Sequence, residues 1–332
     1  MSTDIPVDQI KRIRDAVHGE LGRRIVGQGE AIDEVLTCFF AGGHCLIMGM
    51  PGVAKTLLVN SLAQVMDLSF KRIQFTPDLM PSDITGTEIL EEDRATGHRV
   101  LKFVPGPVFA NIVMADEINR TPPKTQAALL ESMQERQVTL GGKTYPLPKP
   151  FFVLATQLPM EQEGTYPLPE AQQDRFMFNV EMTYLSEDEE VVAVRQSSGG
   201  REVTMRVILK GEELLRCQQQ VRRIPISETL QGYIVDLVAA SRPGQAAPDF
   251  VNEYVAWGAG LRASQYIALG AKSRAALLGR PDVTQEDVHA VVRPVMRHRI
   301  GLNFRAEVDK VKVEDVIGRL VKRQPAPAPR AN

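Results

Sequence analysis

Apolar residues recur at helical spacing near the start of the chain, where Ile10, Ile13, Val17 and Leu21 share one face and Gly22 closes the segment. A second helical pattern covers 30–40 and stops at Gly42 and Gly43. From there the period changes. Apolar strand-like runs at 45–48, 72–75, 112–115 and 151–155 alternate with helical patterns. The alternation predicts an α/β layer fold with a largely parallel sheet. Thr121 followed by two prolines predicts a helix start, with Thr121 as N-cap and Pro122 at the first helical position, leading into Gln126, Leu129, Leu130 and Met133. Two segments read as β-hairpins inserted into this frame: 86–103, turning at Ala95-Thr96-Gly97, and 137–147, turning at Gly141-Gly142.

Beyond Val180 strand-like runs almost vanish. Ser186 with Glu189 makes a capping box, Thr284 with Asp287 makes a similar one, and helical patterns continue to about 323. The expected organisation is an α/β core over 1–185, a helical domain over 186–323 and a Pro/Ala-rich, disordered tail over 324–332.

Composition narrows the function classes. A chain of 332 residues can bury a large core and divides into about two domains. Its 43% hydrophobic and 24% charged content suits a soluble globular protein. No basic start followed by an apolar core opens the chain, and no stretch approaches the ~20 apolar residues of a membrane span. The expectation is a cytoplasmic protein with no membrane insertion. Cys38, Cys45 and Cys217 are odd in number and widely spaced, which suits buried thiols in a reducing compartment rather than a disulfide frame or zinc site. A net charge of −2 gives no general reason to expect nucleic-acid binding. The local cluster Arg293, Arg297, His298, Arg299 and Arg305 reads as a solvated helix face.

The candidate chemistry lies at two strand ends. Gly49, Met50, Pro51, Gly52, Val53, Ala54, Lys55 and Thr56 separate a strand-like run from a helical one that opens at Leu57. Glycines there let backbone N–H groups face phosphates, the helix N-terminus adds positive potential, Lys55 reaches the β/γ-phosphates and the Thr56 hydroxyl is a ligand for Mg2+. Ala54 departs from the general pattern, which places glycine there. A methyl group is tolerated on the expectation that φ stays negative. The second strand end is Ile112-Val113-Met114-Ala115-Asp116-Glu117. In a nucleotide-hydrolysing protein the first acid holds the Mg2+ shell and the second orients or deprotonates the attacking water, roles that fit Asp116 and Glu117. Both motifs are expected at the carboxyl ends of adjacent strands.

Four runs together resemble the MoxR branch of the AAA+ ATPases: the loop 49–56, Ala-Asp-Glu-Ile-Asn-Arg at 115–120, Gln-Ala-Ala-Leu-Leu-Glu-Ser-Met-Gln-Glu at 126–135 and Gly-Thr-Tyr-Pro-Leu-Pro-Glu-Ala-Gln-Gln-Asp-Arg-Phe at 164–176. The resemblance extends from Ile10 to about Arg299, and alanine at the Ala54 place occurs in the family. It implies a P-loop AAA+ αβα core with β-hairpin insertions and an all-helical lid, assembled as a ring, usually a hexamer, with ATP between subunits. Carried over, Arg175 is the finger that reaches the neighbour's γ-phosphate, and Val26, Gly27 and Gln28 lie against adenine. The lid arginine of the family has two candidates, Arg262 and Arg274; Arg262 is preferred because it opens a helix able to point at phosphate. Where the family reads Thr-Gln-Asn-Pro, this chain has Thr156-Gln157-Leu158-Pro159, so an asparagine that binds the γ-phosphate or the water is replaced by leucine. The implied activity is ATP-driven remodelling or assembly of a protein client, one with a von Willebrand factor A-type domain. An ATP-gated scaffold with little hydrolysis and a nucleic-acid motor are the alternatives.

Overall fold

A computed structural model describes residues 5–92, 99–158, 164–198 and 203–323. The hairpin turn at Ala95-Thr96-Gly97 and the tail 324–332 lie outside the described residues. The core runs α1 (Val7–Gly22), α2 (Gly29–Ala41), β1 (Cys45–Gly49), α3 (Lys55–Val65), β2 (Phe70–Gln74), α4 (Pro81–Thr85), β3 (Gly86–Glu92), β4 (Arg99–Pro105), β5 (Ile112–Asp116), α5 (Pro123–Glu135), β6 (Gln137–Leu140), β7 (Lys143–Pro146), β8 (Phe152–Gln157), α6 (Glu170–Gln173) and β9 (Phe178–Met182). The rest runs α7 (Glu187–Ser198), α8 (Gly211–Arg223), α9 (Glu228–Ala239), α10 (Asp249–Tyr254), β10 (Val255–Trp257), α11 (Leu261–Leu277), α12 (Gln285–Met296), β11 (Gly301–Leu302), α13 (Phe304–Val308) and α14 (Val313–Arg323).

The main sheet has five parallel strands in the order β2-β5-β8-β1-β9. Successive strand residues point to opposite faces. Cys45, Ile47, Ile112, Met114, Phe152 and Leu154 enter one hydrophobic cluster, and Leu46, Val113, Ala115, Val153 and Ala155 enter another. Both faces are therefore covered, which is why these runs carry no polar alternation. The first cluster continues without a break into Leu214, Ile267, Val292 and Leu320 of the helical domain. Polar seams fix the join: the Ser273 hydroxyl donates to the Thr37 carbonyl at 2.7 Å, and the Gln218 amide donates to the Phe39 carbonyl at 2.8 Å. The hairpins β3–β4 and β6–β7 meet through Phe103 and Tyr145, whose rings stack at 4.0 Å.

Several sequence expectations change. Strands β5 and β1 are not adjacent, because β8 lies between them, so the end of β8 stands between the phosphate loop and the two acids. Helix α5 starts at Pro123 with Pro122 as N-cap, and Thr121 instead donates its hydroxyl to the Ile118 carbonyl at 3.3 Å. The cause is Pro123 itself, which pushes the residue before it out of the helical region; Pro122 has ψ 154°. Strand β9 was not anticipated, since Phe178, Val180 and Met182 are interrupted by Asn179 and exposed Glu181 rather than forming an unbroken run. The helical domain also contains a two-stranded ribbon, β10–β11.

The basic cluster is not a solvated face. Arg299 is 5% exposed, and its guanidinium donates to Asp174 Oδ1 at 2.7 Å and to the carbonyls of Asp174 and Phe176. Arg297 donates to the Asn179 carbonyl at 2.6 Å and to Glu314 at 2.7 Å. Arg293 and Arg305 alone of the five are exposed. A guanidinium has donors enough to cap several carbonyls at once, so these side chains clamp the end of α12 onto the segment before β9.

Candidate functional site

The loop between β1 and α3 packs tightly against β9. A Cβ on Gly49 would stand 2.5 Å from the Met182 carbonyl oxygen, which restricts this position to glycine. Gly52 holds φ 88°. Ala54 holds φ 66°, so the expectation of a negative φ is overturned. The left-handed region costs an alanine roughly 1–2 kcal/mol, strain of the kind retained where a loop must aim its amides. Lys55 donates from Nζ to the Gly49 carbonyl at 2.7 Å, folding its side chain back over the loop. Burial lowers the Lys55 pKa, and the charges of Asp116 and Glu117 oppose that shift, so the ammonium lies in the field of both acids. Thr56, the second residue of α3, is half-buried.

The end of β8 organises the acids. Thr156 donates its hydroxyl to Asp116 Oδ1 at 2.6 Å and accepts the Glu117 N–H at 2.8 Å. On the other side Arg72 reaches Asp116 Oδ2 from two nitrogens, at 2.5 and 3.0 Å. Asp116 is 8% exposed. Glu117 lies just past β5 with φ 57°, a turn that carries its carboxylate off the strand line. Its Oε2 accepts from Gln74 at 2.9 Å and from Arg120 at 3.3 Å. Beyond Thr156, the backbone of Leu158 is pinned by one side chain: its N–H donates to Asn119 Oδ1, and its carbonyl accepts from Asn119 Nδ2, each at 3.0 Å.

Beside the loop is a cavity of ≈ 680 Å3. Val26, Gln28, Gly52, Val53, Ala54 and Leu57 line it, so six of the sequence-predicted nucleotide contacts surround one space. Gly49, Met50, Pro51, Lys55 and Thr56 are not among its lining residues; they form the end of β1, the loop and the first turn of α3. Gly27 lies behind the wall, where an added Cβ would meet Leu185 at 2.7 Å. Gln28 donates to the Thr183 carbonyl at 2.6 Å and so joins the loop before α2 to the chain after β9.

Arg175 and Arg262 lie elsewhere. They line a second cavity of ≈ 360 Å3 that shares no lining residue with the first. Arg262, in the first turn of α11, donates to Asp174 Oδ2 at 2.7 Å. Asp174 is thus held by Arg262 and Arg299, and Arg175 makes no ion pair with it or with Glu170 among the described residues. Arg274 is bound instead to fully buried Asp287 at 2.8 Å, which Arg280 also contacts.

Residues 44–178 match the ATPase family associated with various cellular activities, and 249–320 match the AAA lid domain. The chain is 44% identical to chaperone MoxR1 of Mycobacterium tuberculosis over 91% of its own length and 79% of that protein. It is 30% identical to protein MoxR of Methylorubrum extorquens over 93% of each. The chain belongs to the MoxR family of AAA+ ATPases. A crystal structure assigned as an ATPase from Cytophaga hutchinsonii superposes on this MoxR-family chain with TM-score 0.89 at 41% identity, covering 97% of both.

Sequence reasoning about this MoxR member missed most of what surrounds its loop. Arg72 and Gln74 occupy alternate positions of β2, and β2 pairs with β5 so that Gln74 lies opposite Asp116. Their i, i+2 spacing on a predicted strand was the available signal. Ile25, Leu185, Ala193 and Val203 also line the large cavity. They come from three separate segments, and no local pattern brings them together.

Proposed function

We propose that this MoxR-family chain is a Mg2+-dependent ATP hydrolase that works as a cytoplasmic ring, most simply a hexamer, and remodels or assembles a protein client bearing a von Willebrand factor A-type domain. The observation that carries the reading is the meeting of Lys55, Asp116, Glu117 and Thr156 at the carboxyl ends of three neighbouring strands, beside an apolar cavity sized for a nucleoside. The similarity to a protein named a chaperone supports a protein client rather than a small substrate.

The residues fit the ion that the chemistry needs. Thr56 and Asp116 offer a hydroxyl and a carboxylate, hard oxygen donors of the number Mg2+ takes from protein when phosphates and water complete its shell. Bound there, the ion would supply charge neutralisation on the β/γ-phosphates. Lys55 leaves the Gly49 carbonyl to meet phosphate as a compact charge. Glu117 accepts a proton from the attacking water, with Gln74 and Arg120 setting the orientation of its carboxylate. Arg175, remote from its own loop, serves the loop of the next subunit, and Arg262 beside it faces the same way.

Lys55→Ala tests the reading. The loop amides alone lack the ammonium that offsets phosphate charge, so equilibrium titration with ATP and Mg2+ is expected to show at least a tenfold loss of affinity, about 1.4 kcal/mol or more. Unchanged affinity in a folded variant would remove the phosphate-loop assignment.

Leu158 favours the scaffold as a second reading. Thr156 already spends its hydroxyl on Asp116, so it cannot replace a missing donor, and Gln157 is the remaining amide at this strand end. One positioned donor in such a site is worth about 10²–10³ in rate. Leu158→Asn, carried on a backbone that Asn119 already fixes, is expected to raise ATP turnover by about tenfold or more with little change in ATP affinity. A phosphate-release assay that finds equal or lower turnover in correctly assembled protein would show a site rebuilt around leucine.

A further inference from the structure

The ladder between β5 and β8 ends at Ala115 and Ala155, two residues short of Glu117. Beyond it the chains part, because Glu117 turns away at φ 57° and opens a single 3-10 turn, Ile118–Arg120, closed by the Arg120 N–H on the Glu117 carbonyl at 2.9 Å. Side chains take over the pairing there. Thr156 accepts the Glu117 N–H at 2.8 Å, and Asn119 does for Leu158 what a neighbouring strand would: its Oδ1 accepts the Leu158 N–H and its Nδ2 donates to the Leu158 carbonyl, each at 3.0 Å. A side-chain amide offers a donor and an acceptor side by side, so it can stand in for a backbone peptide at a strand end.

Asn119 is buried, and the turn around it is fixed from its other side as well. Its own carbonyl accepts the Tyr166 N–H at 2.6 Å. Gln126, buried on α5, donates from Nε2 to the Ile118 carbonyl at 3.3 Å and to the Thr121 carbonyl at 3.0 Å, so the peptides before and after Asn119 are both held. Ile118 enters the same hydrophobic cluster as Val153 and Ala155 of β8. A non-glycine residue in the left-handed region persists where its surroundings over-determine it, and Glu117 is such a residue.

A general base acts only within hydrogen-bond reach of the proton it takes, and a displacement of about 1 Å costs on the order of 10²-fold in rate. Where the Glu117 carboxylate points is set by its turn, and Arg120, one of the two groups that donate to that carboxylate, belongs to the same turn. Asn119 is not among the residues lining the large cavity beside the loop. We propose that Asn119 is a positioning residue for hydrolysis: by tying the Glu117 turn to the end of β8, it keeps the Glu117 carboxylate aimed at the attacking water. This rests on the hydrolase reading above and adds to it the residue through which the base is held.

Asn119→Ala is expected to lower ATP turnover by about 10²-fold while ATP affinity stays within about twofold of wild type. Asn119→Asp keeps the shape and the acceptor but loses the donor to the Leu158 carbonyl, so it should show the same split; it carries the test if the alanine variant fails to fold. The decisive readout is the double variant. In Glu117→Gln protein the base is already gone, so adding Asn119→Ala should cost less than about threefold in single-turnover rate, whereas a residue that only holds the fold together would cost the same factor in either background. Turnover within about threefold of wild type in both Asn119 variants overturns the proposal. So does a loss of ATP affinity that matches the loss of turnover, or the full loss repeated in the Glu117→Gln background. If Glu117→Gln itself turns over at the wild-type rate, the reading of Glu117 falls and takes the proposal with it; if Glu117→Gln is slow and the Asn119 variants are not, only the role of Asn119 is wrong.

Discussion

Glu117→Gln is expected to bind ATP as tightly as the wild type and to lose about 10²–10⁴ of its turnover, the usual worth of a positioned general base. The amide keeps the size of the carboxylate, and its oxygen can still accept from Gln74 and Arg120, so the turn at φ 57° and the Thr156 contact to its N–H should survive. What it cannot do is take a proton. The loop, Lys55 and the large cavity are untouched, so affinity is preserved and the protein is held in its ATP-bound state. Equilibrium binding and phosphate release on the same preparation check both halves. Turnover within threefold of wild type would move the base to another residue; a matching loss of affinity would mean that Glu117 holds the nucleotide rather than the water.

The parts of the site that were legible in the sequence are those encoded locally. Lys55, Thr56 and the glycines appear in order because one strand, one turn and one helix N-terminus make up the whole loop proposed to hold phosphate. Asp116 and Glu117 were visible for the same reason, at the end of a buried run. Strands β1, β5 and β8 followed from unbroken apolar runs, and that pattern failed at β9, where polar residues interrupt the run on an edge strand. Strand order lay beyond the pattern, so the wedge of β8 between the two motifs came only with the structure. That wedge matters chemically, because it brings Thr156 between the acids and the loop.

Conformational detail was less legible than residue identity. Ala54 adopts the φ of a glycine, and nothing in a single sequence says that a methyl group will be carried at +66°. Pro122 and Pro123 both looked capable of opening α5, and the steric effect of the second on the first decides it. The basic run after α12 had the composition of a solvated face, yet Arg299 is buried, because carbonyls left unpaired before β9 need donors that only a distant segment supplies.

The proposed sharing of sites between subunits yields the second large effect. Arg175→Ala is expected to reduce turnover by about 10³ or more, the scale at which a guanidinium delivered to a transferring phosphoryl group acts. Its cavity has no lining residue in common with that of its own loop, so an intramolecular role would need a large rearrangement of the α6 turn that Tyr266 and the Arg299 clamp hold in place. The test is complementation. Arg175→Ala protein supplies intact loops and Lys55→Ala protein supplies intact fingers; in a head-to-tail ring mixed at random, about one interface in four pairs the two. Turnover should therefore reappear on mixing two inactive proteins, rise to a maximum near equal proportions and fall again as either is in excess. Labelled subunits establish that exchange has taken place. With exchange shown and turnover still absent, the finger does not act across the interface, and Arg175 must serve the subunit that carries it.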